Sequence, residues 1–265
     1  MKKHLSLEER RKKVQDFLII HDVFFEVFAN KATCQEILRT ILDDETIVVE
    51  QVITQRSLRN LYGRSVRLDV LCILGDGRKV NIEVQRSDND DHVRRVRFNS
   101  SIITACNSYP GEHFKDIDDI TMIYITEFDL FNSGHTIYHV HKTIEETGNI
   151  ISDGMKEIYV NTECNDGSKI SRLMKHFKEK MFDDKEFPEI SKRMYELKNE
   201  EGGINAVCDI MKMYEEEAAK EAAKEATEEA NIRAIKNMLR FGVNKEQILT
   251  EYGEELYNLA VNSAK

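Results

Sequence analysis

Residues 67–85 read Arg67-Leu-Asp-Val-Leu-Cys-Ile-Leu-Gly-Asp-Gly-Arg-Lys-Val-Asn-Ile-Glu-Val-Gln85, two alternating runs around a Gly75-Asp76-Gly77 turn. This is the pattern of a β-hairpin. With the turn centred on Asp76, Leu74 faces Arg78, Cys72 faces Val80, Val70 faces Ile82 and Leu68 faces Val84. That set makes a mostly apolar face. Side-chain alternation sends Arg67, Asp69, Asn81, Glu83 and Gln85 to the other face, with Asp69 opposite Glu83 and Arg67 opposite Gln85. Facing Cβ atoms in an antiparallel pair lie roughly 4.5–5.5 Å apart, so two acids there repel unless something neutralises them.

A divalent cation is one such neutraliser. Mg²⁺ binds through one or two carboxylates and retained waters, and a scissile phosphate can complete its shell, so an acid pair on a rigid hairpin suits phosphodiester cleavage. The competing reading is the solvated face of an ordinary antiparallel hairpin. Leu71 and Ile73 share the polar row, which predicts that this face is partly covered and that the acids need a partner.

The spacing of Asp69 from Glu83-Val-Gln85 resembles the PD-(D/E)XK nuclease superfamily, specifically its Rpn-type branch of recombination-promoting nucleases, also described as transposases. The flanks agree: HDVFFEVFANKATCQEILRTIL before the hairpin, and DDHVRRVRFNSSIITACNSY and ITMIYITEFDLF after it, resemble that branch's opening, its Arg-bearing helix and its next core strand. The resemblance covers about residues 17–165, with a looser match in the tail. It implies an α/β (α+β) restriction-endonuclease-like core, a mixed central sheet flanked by helices, followed by a helical C-terminal tail. It further implies a metal-dependent DNA endonuclease linked to recombination or mobile elements. Asp69 and Glu83 would hold Mg²⁺ or Mn²⁺ with the Val84 carbonyl, Gln85 would stand where the superfamily's usual lysine sits, and Asp22 would be an extra first-helix acid, with Glu26 its competitor. Glutamine orients a water but carries no charge. The alternative is therefore a nuclease-fold module, weak or inactive in catalysis, that binds nucleic acid or a protein partner.

Composition narrows the frame. The 265 residues are 41% apolar with two prolines, enough for one core and one appendage. Five scattered cysteines without a C-x-x-C pair indicate neither a disulfide framework nor a zinc cluster. No apolar run reaches the ~18 residues of a membrane span, and the opening Met-Lys-Lys-His-Leu lacks a secretory core, so no membrane association and a cytoplasmic location are expected. A net charge of −10 is unusual for a DNA binder, but residues 51–110 carry ten Lys/Arg against six acids, while residues 214–230 carry seven Glu against two Lys. The acidity sits away from the hairpin, leaving a phosphate-facing surface available.

Along the chain, Ser6 is placed to cap a helix over residues 6–18, Phe24, Phe25 and Phe28 mark a second, and Thr33–Leu42 a third. Thr46–Gln55 reads as a strand. Asp88, Asp90 and Asp91 are expected to cap a helix whose apolar stripe is Val93, Val96 and Ile103, with Arg94, Arg95 and Arg97 available to nucleic acid. Ile120–Thr126 reads as a doubly covered central strand, residues 135–141 as a strand aligning His135, His139 and His141, and residues 156–161 as the last strand. The expected divisions are a core over 1–168, short helices over 169–201 around Pro188, and a Glu/Ala/Lys-rich tail over 202–265 broken at Gly202-Gly203. In the tail, Ile232, Ile235, Met238 and Leu239 form a stripe suited to a partner or a second copy, and Asn244 through Gln247 a capping box.

Overall fold

A computed structural model describes residues 6–58 and 66–262. Arg59 and Arg64, counted in the basic stretch, and the Arg56 side chain lie outside the described residues. Three helices open the chain: α1 (Leu7–Gln15), α2 (Asp22–Phe28) and α3 (Lys31–Leu42). Ser6 caps α1 through a reciprocal box with Glu9, and Asn30 does the same for α3 with Thr33. Strand β1 (Val49–Leu58) starts and ends later than the β-branched stretch indicated, because it pairs along β2 (Val66–Leu74).

The hairpin forms between β2 and β3 (Lys79–Gln85) in the register the turn dictates, with Val70 opposite Ile82 and Cys72 opposite Val80. Gly77 takes φ +87°, which the turn requires and other residues resist. Helix α4 (His92–Asn107) then crosses over to β4 (Ile120–Thr126), buried along its whole length and parallel to β3. The chain continues through β5 (Ile137–Val140), a small ribbon of β6 (Lys142–Thr143) and β7 (Ile150–Ile151), and β8 (Met155–Asn161). The six-stranded sheet has the order β1-β2-β3-β4-β8-β5, antiparallel on the hairpin side and parallel through β3, β4 and β8. It is the mixed central sheet expected.

Helix α4 covers the face that carries Leu71, Met122, Tyr124 and Tyr159 through Val96 and Ile103. Its buried stripe is His92, Val96, Asn99, Ser100 and Ile103, whereas Val93 is 48% exposed. The expected Val93 stripe is thus rotated by about one residue, because His92 turns inward at the helix start. On the opposite face Cys34 of α3 meets Cys72 of β2, both fully buried.

Helices α5 (Lys169–His176) and α6 (Pro188–Asn199) complete the unit, α6 opening on Pro188 at its first turn. Lys198 is fully buried, its ammonium donating to the carbonyls of Gln15 (3.0 Å), Phe17 (2.6 Å) and Lys180. Three donors meet three acceptors, and burial pulls its pKa down to about 8. The break expected at Gly202-Gly203 is absent: Glu200 is the extended residue, and α7 (Glu201–Arg240) runs on through both glycines. Gly203 is there because a Cβ would lie 2.2 Å from the Glu196 carbonyl oxygen.

By contacts the chain divides into units over residues 1–209 and 210–265. In the second, Ile235 packs with Ile248 and Ala260 of α8 (Lys245–Asn262), flanked by Ile232, Met238 and Leu239. The stripe read as awaiting a partner is therefore covered by the chain's own last helix. Asn244 caps α8 through the Gln247 N–H at 2.9 Å, and Gly253, at φ +78°, bends it. No helix among the described residues is long and apolar enough to cross a membrane.

Candidate active site

The backbone ladder of the hairpin is continuous from Ile73–Lys79 to Val70–Ile82. One step further the two acids take over from the backbone. The Val84 N–H donates to Asp69 Oδ2 (3.0 Å) and the Asp69 N–H to Glu83 Oε1 (3.3 Å), so the Asp69–Glu83 juxtaposition forms while the Arg67–Gln85 backbone pair does not. Asn81, two residues before Glu83 and on the same face, is fully buried and donates Nδ2 to Glu83 Oε1 at 2.8 Å. Each carboxylate therefore has one oxygen held by fixed donors, and no described donor engages Asp69 Oδ1 or Glu83 Oε2.

Glu83 is 2% exposed, which excludes the solvated-face reading for this end of the hairpin. Both carboxyls are pushed up. For Asp69 burial acts first and the Glu83 charge second, with Asp22 adding to the rise and the Val84 N–H and Arg95 opposing it. For Glu83 burial dominates, offset by the Asn81 amide, Arg95 and the Asp69 N–H. A half-buried and a buried acid held face to face resist ionising together without a compensating positive charge.

The other sequence-derived residues fall at different distances from this pair. Asp22 is the first residue of α2, exposed, and its charge reaches Asp69. Gln85 accepts from Arg95 Nη1 (3.2 Å) and donates to the Ser87 carbonyl (2.9 Å). Of the three arginines of α4, Arg95 is thus the one turned to the acids. Arg94 and Arg97 line, with Arg67, Asp91, Phe98 and Asn99, a cleft of about 330 Å³ beside it. The cap expected from the acid cluster takes another form: Asp91 occupies the N-cap position without a side-chain bond, and Asp88 instead accepts from the Asp90 N–H and His92 Nε2. His135, His139 and His141 are all exposed, only His139 lies within β5, and no group of three or more His, Cys, Asp or Glu among the described residues gathers for a metal.

Sequence reasoning missed Asn81, His92 and Tyr124. The alternation that aligned Asn81 with Glu83 was a usable signal. Nothing local could have joined His92 to Tyr124, which meet across 32 residues.

The donor set fits a hard divalent cation: two opposed carboxylates with an oxygen to spare on each, and an orphaned buried acceptor, Asn81 Oδ1, beside them. The Val84 N–H points at Asp69, and in a strand the carbonyl of a residue leaves on the same side as its N–H, so the Val84 oxygen projects toward the pair. Residues 20–240 match the PD-(D/E)XK nuclease family transposases. The chain belongs to that family. The match spans the sheet, the acid pair and the whole of α7, and the family is one of nucleases, which suggests phosphodiester hydrolysis. No curated protein and no solved structure shows a significant match to the chain.

Proposed function

We propose that this PD-(D/E)XK family member is a metal-dependent DNA endonuclease that cuts phosphodiester bonds in the service of a mobile element. The observation that carries the reading is the opposed pair of half-buried Asp69 and buried Glu83, with one uncommitted oxygen on each carboxylate. Asp69, Glu83 and the Val84 carbonyl would hold Mg²⁺ or Mn²⁺, with Asp22 an outer acid. When bound, such an ion lowers the pKa of a coordinated water and offsets charge on the phosphate.

The chain's own residues do the rest. Asn81 holds Glu83 through one oxygen, and Val84 holds Asp69 through one oxygen, so neither carboxylate has to reorganise on loading. The Gln85 Oε1 is fixed by Arg95 and retains a second lone pair for the attacking water. Arg95, whose charge already reaches both acids, is placed to meet the phosphate, while Arg94 and Arg97 follow the strand along the neighbouring cleft.

Supercoiled plasmid incubated with Mg²⁺ or Mn²⁺ should be nicked by wild type and left intact by Asp69→Ala and Glu83→Ala. Equal nicking by all three would remove the assignment. A binding module is the second reading, favoured by the uncharged Gln85: it would hold DNA equally in EDTA, unaffected by Asp69→Ala, and cut nothing.

A further inference from the structure

Helix α4 starts without a side-chain cap, and its first turn would fray if nothing else held it. What holds it is His92. The ring is 3% exposed and packs against Tyr124 and Phe128 at centroid distances of 5.7 and 5.2 Å. Nδ1 lies 3.0 Å from the Tyr124 hydroxyl and Nε2 lies 3.1 Å from Asp88 Oδ1.

The donors and acceptors of this chain can be assigned. The Asp90 N–H and then His92 hold the Asp88 carboxyl below its ordinary range, so it is ionised and only accepts. Nε2 also faces the Asn89 N–H at 3.4 Å, but the Asp88 carboxylate is nearer and charged, so Nε2 carries the hydrogen toward Asp88, Nδ1 accepts, and the Tyr124 O–H donates to it. Tyr124 is the ladder neighbour of Glu83 in the parallel β3–β4 pair, so their side chains share a face. Arg95 follows His92 by three residues, next to it on the helix surface, and bonds Gln85.

We propose that Asp88, His92 and Tyr124 form a brace that locks the first turn of α4 to β4 and so presents the Arg95 guanidinium to a phosphate at the Asp69–Glu83 pair. The order acid, imidazole, hydroxyl also occurs where a hydroxyl is a nucleophile. Here Tyr124 is 1% exposed, out of reach of a phosphorus atom, so the three are positioning residues. An arginine on a free helix end keeps its full rotamer freedom, and a displacement of about 1 Å at a reacting centre can cost about a hundredfold in rate.

The proposal rests on the nuclease reading for its cleavage consequence but has a separate binding readout. A fluorescent duplex is titrated in EDTA with wild type, Tyr124→Phe, Arg95→Ala and the double variant, with melting curves confirming the fold. His92→Gln and Asp88→Asn serve as second probes should Tyr124→Phe not fold. Tyr124→Phe and Arg95→Ala should each weaken binding by about threefold to tenfold, and the double variant should be no weaker than Arg95→Ala alone. His92→Gln, whose amide can accept from Tyr124 and donate to Asp88, should bind more tightly than His92→Phe. With Mn²⁺, the same cycle in kcat should show the same non-additivity at unchanged metal affinity. Coupled binding without cleavage in wild type would retain the brace and sink the nuclease reading. Cleavage with the Tyr124 effect equally large in both Arg95 backgrounds, or with no effect, would sink the brace alone, and failure to bind DNA at all would overturn it too.

Discussion

Replacing Asp69 with Asn should make the protein more stable in EDTA and deaf to divalent cations. Asp69 and Glu83 both have folded pKa values above their unfolded ones. Their ionisation therefore opposes folding: the stability they allow is fully present below the unfolded carboxylate values near 4 and is lost as pH rises through the folded values. At pH 7.5 without metal, Asn at position 69 relieves the repulsion and can keep accepting from the Val84 N–H. Directly opposed like charges cost up to about 1 kcal/mol, which for a unit of 209 residues is about 2–4 °C in melting temperature. Metal acts in the same direction on wild type alone. At about a hundred times its dissociation constant a ligand adds about 2.7 kcal/mol to the folded state, or about 5–10 °C here. The assay is a set of thermal melts of both proteins with EDTA or Mn²⁺ at pH 5 and 7.5. His21 complicates the raw pH trend, since burial and the Arg86 charge lower its pKa and its contribution is lost as pH falls through that value. The difference between the proteins cancels it, and that difference should shrink at pH 5. A less stable Asp69→Asn in EDTA, or an equal Mn²⁺ shift in both proteins, would refute the reasoning.

Asn81→Leu removes the buried donor from Glu83 Oε1, a loss of about 1–3 kcal/mol, and should weaken Mn²⁺ binding by about five- to 150-fold in a calorimetric titration; unchanged affinity would show that Asn81 does not orient Glu83. Gln85→Lys places a second cation beside Arg95 but leaves the acids intact, so the fold and part of the cleavage should survive, whereas Asp69→Asn should lose both metal affinity and turnover in rate-against-metal curves. Gly203→Ala sets a Cβ 2.2 Å from the Glu196 oxygen and 2.6 Å from the Leu197 Cα, both backbone atoms, and should cost about 1–3 kcal/mol or more in urea denaturation, while Gly202→Ala, with nothing near its Cβ, should be tolerated.

Much of this molecule is written in short-range patterns. Alternation around Gly75-Asp76-Gly77 is enough to set the β2–β3 register and bring Asp69 to Glu83, because a two-strand pairing across a tight turn leaves few other arrangements. Ser6 and Asn244 mark helix starts for the same reason: the cap and the N–H it satisfies are three residues apart. Local signals failed where a distant neighbour decided the outcome. The inward face of α4 was misread at Val93 because His92 turns in to meet Tyr124, and Gly203 passed for a break because only the packed end of α6 explains why a side chain is excluded there. The apolar stripe of α7 finds its partner in α8, after an intervening loop. Tertiary structure alone put Tyr124 beside Glu83 and Arg95 over Gln85. Parallel pairing of β3 with β4 spans a helical crossover, and its register is set by what packs on the sheet rather than by any turn that could be read in the chain.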